Sequence, residues 1–136
     1  MIRHILLATD GSFAADRAAD FAASLAVRYR ARVTVLHAFS TSGEPAGLPG
    51  PAWTWAAAQS AVAGTARHLT SMGGAEVETT VVEGPAPNVI LGVAETLGAD
   101  MVVMGARGAS PWPGQTLGSV SHAIVERAAC PVLVVK

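Results

Sequence analysis

Short apolar runs alternate with longer, mostly alanine-rich stretches along the whole chain, and that alternation leaves few folds open to it. Ile5 to Ala8 reads as a strand that stops at Thr9-Asp10-Gly11-Ser12, and Ala14 to Arg30 follows as a helix. Ala18, Phe21, Ala22, Leu25, Ala26 and Tyr29 recur there at helical spacing and predict its buried face. Val33 to Phe39 (VTVLHAF) is the second predicted strand, and Trp53 to Met72 the second helix, closed by Gly73-Gly74. Glu76 to Val82 alternates as a third strand, more exposed on one face. Gly84-Pro85-Ala86-Pro87-Asn88 then opens a helix over Val89 to Leu97 that Gly98 ends. Met101 to Met104 (MVVM), a helix over Ser119 to Ala128 and a last strand over Val132 to Val135 (VLVV) complete the pattern.

Apolar strands separated by helices call for a parallel sheet buried on both faces, because a parallel crossover lays its helix back across the strands. The expected class is therefore α/β, an open five-stranded parallel sheet with helices on both faces. A chain of 136 residues is expected to form one domain over 1–136. Its apolar content, 51% against 14% charged, supplies the core such a sheet needs. Only "STSGEPAGLPGPA", residues 40–52, breaks the rhythm. It reads either as a surface connection or as a flap over a site, since it leaves a strand at its C-terminal end.

Several function classes fall away on composition. Nine basic and ten acidic residues leave a net charge of -1, with no basic face for a polyanionic backbone, so nucleic acid is not an expected partner. The sole lysine is Lys136, which excludes a Schiff-base lysine and the lysine of a Gly-Lys-Ser/Thr phosphate loop. Cys130 stands alone between Ala129 and Pro131; it allows no disulfide within the chain and reads as a small buried hydrophobe. No stretch approaches the ~20 apolar residues of a membrane span, and a cytoplasmic protein is expected.

In an open parallel sheet, ligands bind beyond the carboxyl ends of the strands, where neighbouring connections leave on opposite faces. Three loops of unusual composition fall there: Thr9 to Ser12, His37 to Ser40 and Gly105 to Ser119. In the last, Gly105 and Gly108 precede a spacer and then Gly118-Ser119 at a helix start. Glycines let backbone amides approach an anion closely, Ser119 can cap the helix through its hydroxyl, and the N–H groups of Val120 and Ser121 carry the positive end of the helix dipole. A phosphate seat and a purely geometric turn fit these residues equally well. Gly105-Ala106-Arg107-Gly108 is not the Gly-x-Gly-x-x-Gly dinucleotide turn, and it follows the fourth strand rather than the first.

At this point the chain resembles the universal stress protein family along essentially its whole length. "ILLATDGS" is similar to the family's first strand, "VTVLHAF" to its second, "GADMVVMGARG" to its fourth strand and turn, and "LGSVSHAIVERAACPVLVV" to its closing helix and strand. The family's nucleotide-binding subgroup carries Gly-x2-Gly-x9-Gly-Ser/Thr, a pattern met by Gly105, Gly108, Gly118 and Ser119. The resemblance implies strand order 3-2-1-4-5 in a Rossmann-like sheet of the adenine nucleotide alpha hydrolase kind, a homodimer through Val132 to Val135, and ATP, with Mg, bound between strands one and four. It places Ala8 and Thr9 beside the adenine, Asp10 near the ribose or a phosphate-bound metal, and Ala38 facing the adenine. Met104 would cover the nucleotide, Gly105, Arg107 and Gly108 would wrap ribose and phosphates, and Gly118, Ser119, Val120 and Ser121 would seat the phosphates.

Other roles stay open for some of these residues: Asp10 as a helix cap, Met104 as strand core, Arg107 as a solvated loop residue. The spacer "ASPWPGQTL" departs from the small, polar or basic residues more usual in the family. Pro111, Trp112 and Pro113 stiffen it and add a large apolar face, either to cover the phosphates or to meet a partner.

An enzyme needs an activated nucleophile or water beside the phosphate. His4 and His37 lie in strands, and His68 and His122 on helices; none is tied to a neighbouring acid in sequence, and His122 lies nearest the phosphate seat. The expected function is accordingly an ATP-binding regulatory module of the stress response, with an unknown protein partner and no catalytic residue. A slow Mg-dependent ATPase or phosphotransferase and a nucleotide-free dimeric scaffold are the alternatives.

Overall fold

The computed structural model describes residues 1–11, 13–40, 54–73, 75–106 and 118–136. The first strand, β1 (His4–Ala8), is buried along its full length. A strand with no solvent-facing side must lie inside a sheet covered on both faces. The remaining elements follow in alternation: α1 (Phe13–Tyr29), β2 (Arg32–Phe39), α2 (Trp55–Ser71), β3 (Val77–Glu83), α3 (Ala86–Leu97), β4 (Met101–Gly105), α4 (Ser119–Arg127) and β5 (Val132–Val135). The strands form one five-stranded sheet in the order β3-β2-β1-β4-β5, and every pairing is parallel.

Strand alternation sorts the core into two layers. Ile5, Leu7, Val33, Val35 and Val103 point toward α1 and α2, where they meet Ala18, Ala22, Ala26, Val62 and Leu69. Leu6, Ala8, Leu36, Val102 and Met104 point the other way, onto Ile90 and Ala94 of α3 and Ile124 of α4.

The buried face of α1 differs from its periodicity. Ala15, Ala18, Ala19, Ala22, Ala23 and Ala26 form the contact, whereas Phe21 and Tyr29 are 48% and 40% exposed. A ridge of methyl groups brings the helix close to the sheet, and that approach leaves the large rings on its flank.

Several helix ends also shift from their expected positions. α1 stops at Tyr29 because Arg30 turns into the left-handed region at φ 55, and Ala31 N–H then donates to Ala26 C=O at 2.9 Å. α2 begins after Thr54, whose Oγ1 accepts from Ala57 N–H at 3.0 Å. α3 starts at Ala86, ahead of the expected Val89: Pro85 occupies its N-cap and Pro87 its first turn, where a missing N–H removes no intrahelical bond. Gly98 closes α3 in the left-handed conformation, as its sequence position indicates.

The end of the sheet where strands begin is tied off. Asp100 Oδ2 accepts from Arg3 N–H at 2.9 Å and His4 N–H at 3.0 Å, while Asp100 N–H donates to His4 C=O at 2.9 Å. These bonds hold the Asp100 carboxyl below its usual range. Among the described residues, no helix is long and apolar enough to cross a membrane.

Candidate functional site

After β1 the chain passes to α1 on one face of the sheet, and after β4 it passes to α4 on the other. Adjacent strands whose connections diverge in this way leave a crevice at their C-terminal ends, here between β1 and β4. Ala8 is buried at its floor, paired with Leu36 on one side and Met104 on the other. Thr9 extends the β1–β2 pairing, with its N–H donating to Leu36 C=O at 2.9 Å. Its Oγ1 accepts from Gly11 N–H at 3.1 Å, closing a turn in which Gly11 adopts φ 79, a conformation that favours glycine. Asp10 rides on this turn, partly exposed. It lies three positions before Phe13, which opens α1, and so outside the N-cap position.

On the β4 side the loop ends are pinned to each other. Ala106 N–H donates to Val135 C=O at 2.7 Å, and Ala106 C=O accepts from both Gly118 N–H and Ser121 Oγ, each at 2.6 Å. Ser121 Oγ also lies 3.1 Å from Gly118 C=O. The serine side chain is buried, so it serves as a pin inside the protein. Of the proposed phosphate contacts from Ser121, only its N–H stays available, because its hydroxyl is spent on the clasp.

That clasp also relocates the helix cap. Holding Gly118 N–H on Ala106 leaves Gly118 extended at φ -71, ψ 166, so Gly118 is the N-cap and Ser119, expected to cap through its hydroxyl, is the first helical residue. Among the described residues, no side chain caps α4. Helix geometry gives Ser119, Val120 and Ser121 N–H no intrahelical acceptor, and the first backbone bond of the helix comes from His122 N–H to Gly118 C=O at 3.0 Å. Three such donors at the positive end of the helix dipole are groups from which an anion can accept.

Met104 packs into the core beside Ala8, Leu36 and Ile124, the strand-core role. Ala38 is half-buried and pairs with Val82, while Gly105 ends β4 against Val135. Val120 sets its side chain against the α3–α4 core layer. Arg107 and Gly108 lie outside the described residues, as do Pro111, Trp112 and Pro113 and the connection over 41–53.

Two residues at this end carry more than their sequence signals. Ala106, to which the glycine pattern assigns no role, ties the loop to β5 through its N–H and to the α4 start through its carbonyl. His37 is 1% exposed, and its burial pushes the imidazole below its ordinary value of 6.5, against the pull of the nearby Asp10 charge. Its ring centroid stands 6.2 Å from that of Phe39, which in turn meets half-exposed Trp55 edge-on at 4.8 Å. A strand histidine next to a loop gives no sequence sign of which charged group will face it.

The other ionisable groups behave differently from their sequence context. His122 stands 3.7 Å from Glu126 one turn along α4, and His68 pairs with Asp20 across α1 and α2, so these two histidines do have acidic neighbours. Burial pushes the Cys130 thiol up, which favours its protonated form. Among the described residues, no group of three or more His, Cys, Asp or Glu side chains is placed to hold a metal ion.

Comparison with known proteins bears on the whole chain. A model of the Universal stress protein family matches residues 1–136. A universal stress protein of Thermus aquaticus is 34% identical over 139 residues, which span 100% of both chains. Among solved structures, the universal stress protein from Archaeoglobus fulgidus in complex with dAMP has a TM-score of 0.76 at 24% identity, covering 100% of this chain and 98% of its own. A universal stress protein in complex with cAMP has a TM-score of 0.79 at 24% identity, covering 98% of this chain and 96% of its own. Those two likenesses concern the fold, a Rossmann-like parallel sheet.

Proposed function

Because the chain belongs to the universal stress protein family, we propose that it binds an adenine nucleotide between β1 and β4 and acts as a nucleotide-dependent regulatory module. The observation that carries this reading is the α4 N-terminus, where Ser119, Val120 and Ser121 N–H have no intrahelical acceptor and, among the described residues, no side-chain cap. An uncapped helix start beside a backbone clasp suits an anion that supplies the missing acceptors. The adenine half of the ligand rests on the relatives solved with cAMP and dAMP.

In this reading Ala8, Thr9 and Ala38 line the base, Asp10 approaches the ribose or a phosphate-bound Mg, and Met104 supports the nucleotide from the buried floor. Gly105, Arg107 and Gly108 wrap ribose and phosphates, and Gly118 through Ser121 hold the phosphates. ATP is the ligand we favour. Magnesium would add charge neutralisation at the phosphates, with Asp10 as the nearest carboxylate on the loop. Occupancy then alters the loops around the crevice and so the surface offered to a partner protein. Pairing of two copies through β5, which among the described strands pairs with β4 alone, would cover that edge of the sheet.

Nucleotide extraction tests the reading most directly. Denatured protein should release ATP or another adenine nucleotide, or the emptied protein should bind added Mg-ATP in a calorimetric titration. An empty site that also ignores added ATP would sink it. Gly118→Val should lose ATP affinity, and intact affinity there would remove the phosphate seat. Steady turnover with magnesium, lost in Asp10→Ala with binding retained, would replace the regulatory module with an enzyme. A monomer at micromolar concentration in sedimentation would contradict the dimer.

A further inference from the structure

On the face of the sheet that carries α3, the helix packs over β2 rather than over the edge strand β3. Between helix and edge lies a groove of about 430 Å³, within the size range of small-molecule sites. Its two walls are regular. Strand alternation puts Glu78, Thr80 and Val82 on one side. On the other, Asn88, Gly92 and Thr96 form one stripe of α3 at i, i+4 spacing, with Val89, Val93 and Leu97 beside it.

Those spacings give the groove its shape. Glu78 to Val82 spans about 13 Å at the rise of a strand. Asn88 to Thr96 spans about 12 Å at the rise of a helix. Because α3 runs back against β3, Glu78 lies at the Thr96 end and Val82 at the Asn88 end. The groove is therefore straight, about as long as an extended eight-carbon diamine from nitrogen to nitrogen, with a carboxylate at one end, the Asn88 amide beside Val82 and Val89 at the other, and Val93 between.

Two further observations concern its floor. Gly92 sits in the middle of α3, where glycine weakens a helix, yet a Cβ built there meets no heavy atom within 4 Å. Packing within the described residues does not demand that glycine, and its effect is to leave the groove open. At the Glu78 end, Thr34 is 4% exposed and its Oγ1 lies 2.7 Å from Nε2 of the buried His4, which fixes a polar atom at the inner wall. Thr34 and Glu78 are register partners, so the fixed hydroxyl and the carboxylate stand side by side.

Charge selects the occupant. Glu78 is the one ionisable side chain among the lining residues; His4, bonded to Thr34 behind it, feels the charges of both Glu78 and Arg32, and burial disfavours the charged form of its imidazole. We propose that this groove binds a linear aliphatic ammonium compound of the diamine or polyamine kind. One ammonium group meets the Glu78 carboxylate, the methylene chain lies on Val82, Val89 and Val93 across Gly92, and the far end donates to the Asn88 carbonyl. An anion of equal length meets no cationic side chain in the lining and is repelled by Glu78. The groove lies away from the β1/β4 crevice, so this binding is independent of the nucleotide reading.

Titration of the full chain with 1,8-diaminooctane, followed by backbone amide NMR shifts, tests the assignment. Shifts should centre on Thr80, Gly92 and Val93 with a Kd below about 1 mM, and octanoate, equal in length and opposite in charge, should produce none. Glu78→Gln should weaken diamine binding at least tenfold, and Gly92→Leu should do the same by filling the floor. Leucine is a better helix former at that position, so the melting temperature of Gly92→Leu should not fall. If it does fall, the exposed Glu78→Gln decides the matter. Equal response to octanoate, no response to the diamine, or undiminished binding in Glu78→Gln overturns the proposal. So does a change in sedimentation in either variant, which would make the groove an interface between copies of this chain.

Discussion

The two ends of this sheet are built on opposite principles. Where the strands begin, backbone groups are paired off: Asp100 accepts two N–H groups from the start of β1, Gly98 and Arg30 turn left-handed to close α3 and α1, and Met72 closes α2 onto Leu69 and Thr70. Where the strands end, closure is selective. The α2 start is capped by Thr54, and α3 opens on prolines. The α4 start, beside the crevice, has no side-chain cap among the described residues. A parallel sheet aims the positive ends of all its helix dipoles at that same side. The contrast teaches that backbone pairing among the described residues is concentrated at one end, and that the proposed binding at the other would draw on backbone groups those residues leave unsatisfied.

Making the open end resemble the closed one should produce the largest effect. Ser119 is exposed at the first position of α4, where a carboxylate favours the helix through its dipole by about 0.3–1 kcal/mol. Ser119→Glu should therefore hold or raise the melting temperature. The same charge at the anion seat should weaken ATP binding by at least about 30-fold, on the order of 2 kcal/mol. Calorimetric titration beside a thermal melt reads both quantities. Unchanged affinity would place the phosphates elsewhere.

Opening the closed end should do the reverse. Asp100→Ala removes the acceptor of two backbone N–H groups and should lower the melting temperature by several degrees without altering nucleotide affinity. Coupled losses of both would mean that the two ends are not separable. The wild-type carboxyl, held below its usual range, contributes stability that is present above the ordinary carboxylate value and lost as pH falls through the native one.

Each end also buries one histidine, and acid should act on both. Burial, aided for His4 by the Arg32 charge, holds both imidazoles neutral below the ordinary value of 6.5. The unfolded chain takes up protons near 6.5 while the native rings resist, so the folded state loses stability as pH drops below that value. Denaturant melts at pH 7.5 and 5.5 should show this decline, and His4→Gln or His37→Gln should each flatten part of it. A pH-independent midpoint across that window would mean that the rings are solvated or charged in the native state.

The order of the elements was legible in the sequence because burial on both faces demands apolar strands, and Gly98, Gly73 and the proline cluster punctuate them. The face of α1 was not. Phe21 and Tyr29 satisfy the helical period as well as the alanines do, and only the closeness of the sheet decides that methyl groups, not rings, face inward. At the site, the glycine spacing located the start of α4. It misassigned the cap by one residue because that position depends on Ala106 C=O, a backbone group with no side-chain signature. The same carbonyl consumed the Ser121 hydroxyl. Tertiary backbone bonds of this kind are where local patterns stop being informative.

The smallest expected effect lies inside the closed end, where two helices finish in the same conformation with different residues. α3 ends on Gly98 at φ 62, and a Cβ there would meet no atom within 4 Å, so only backbone strain opposes a side chain. α1 ends on Arg30 at φ 55 and carries that strain. A side chain in the left-handed region costs about 1–2 kcal/mol, and glycine returns about 0.4–1 kcal/mol of it through the freedom of the unfolded chain. Arg30→Gly should thus stabilise the protein by about 0.5 kcal/mol, and Gly98→Ala should destabilise it by a similar amount, both with unchanged ATP affinity. If Arg30→Gly destabilises, the guanidinium contributes more than its backbone costs, and the closed end owes part of its stability to a surface charge rather than to backbone pairing.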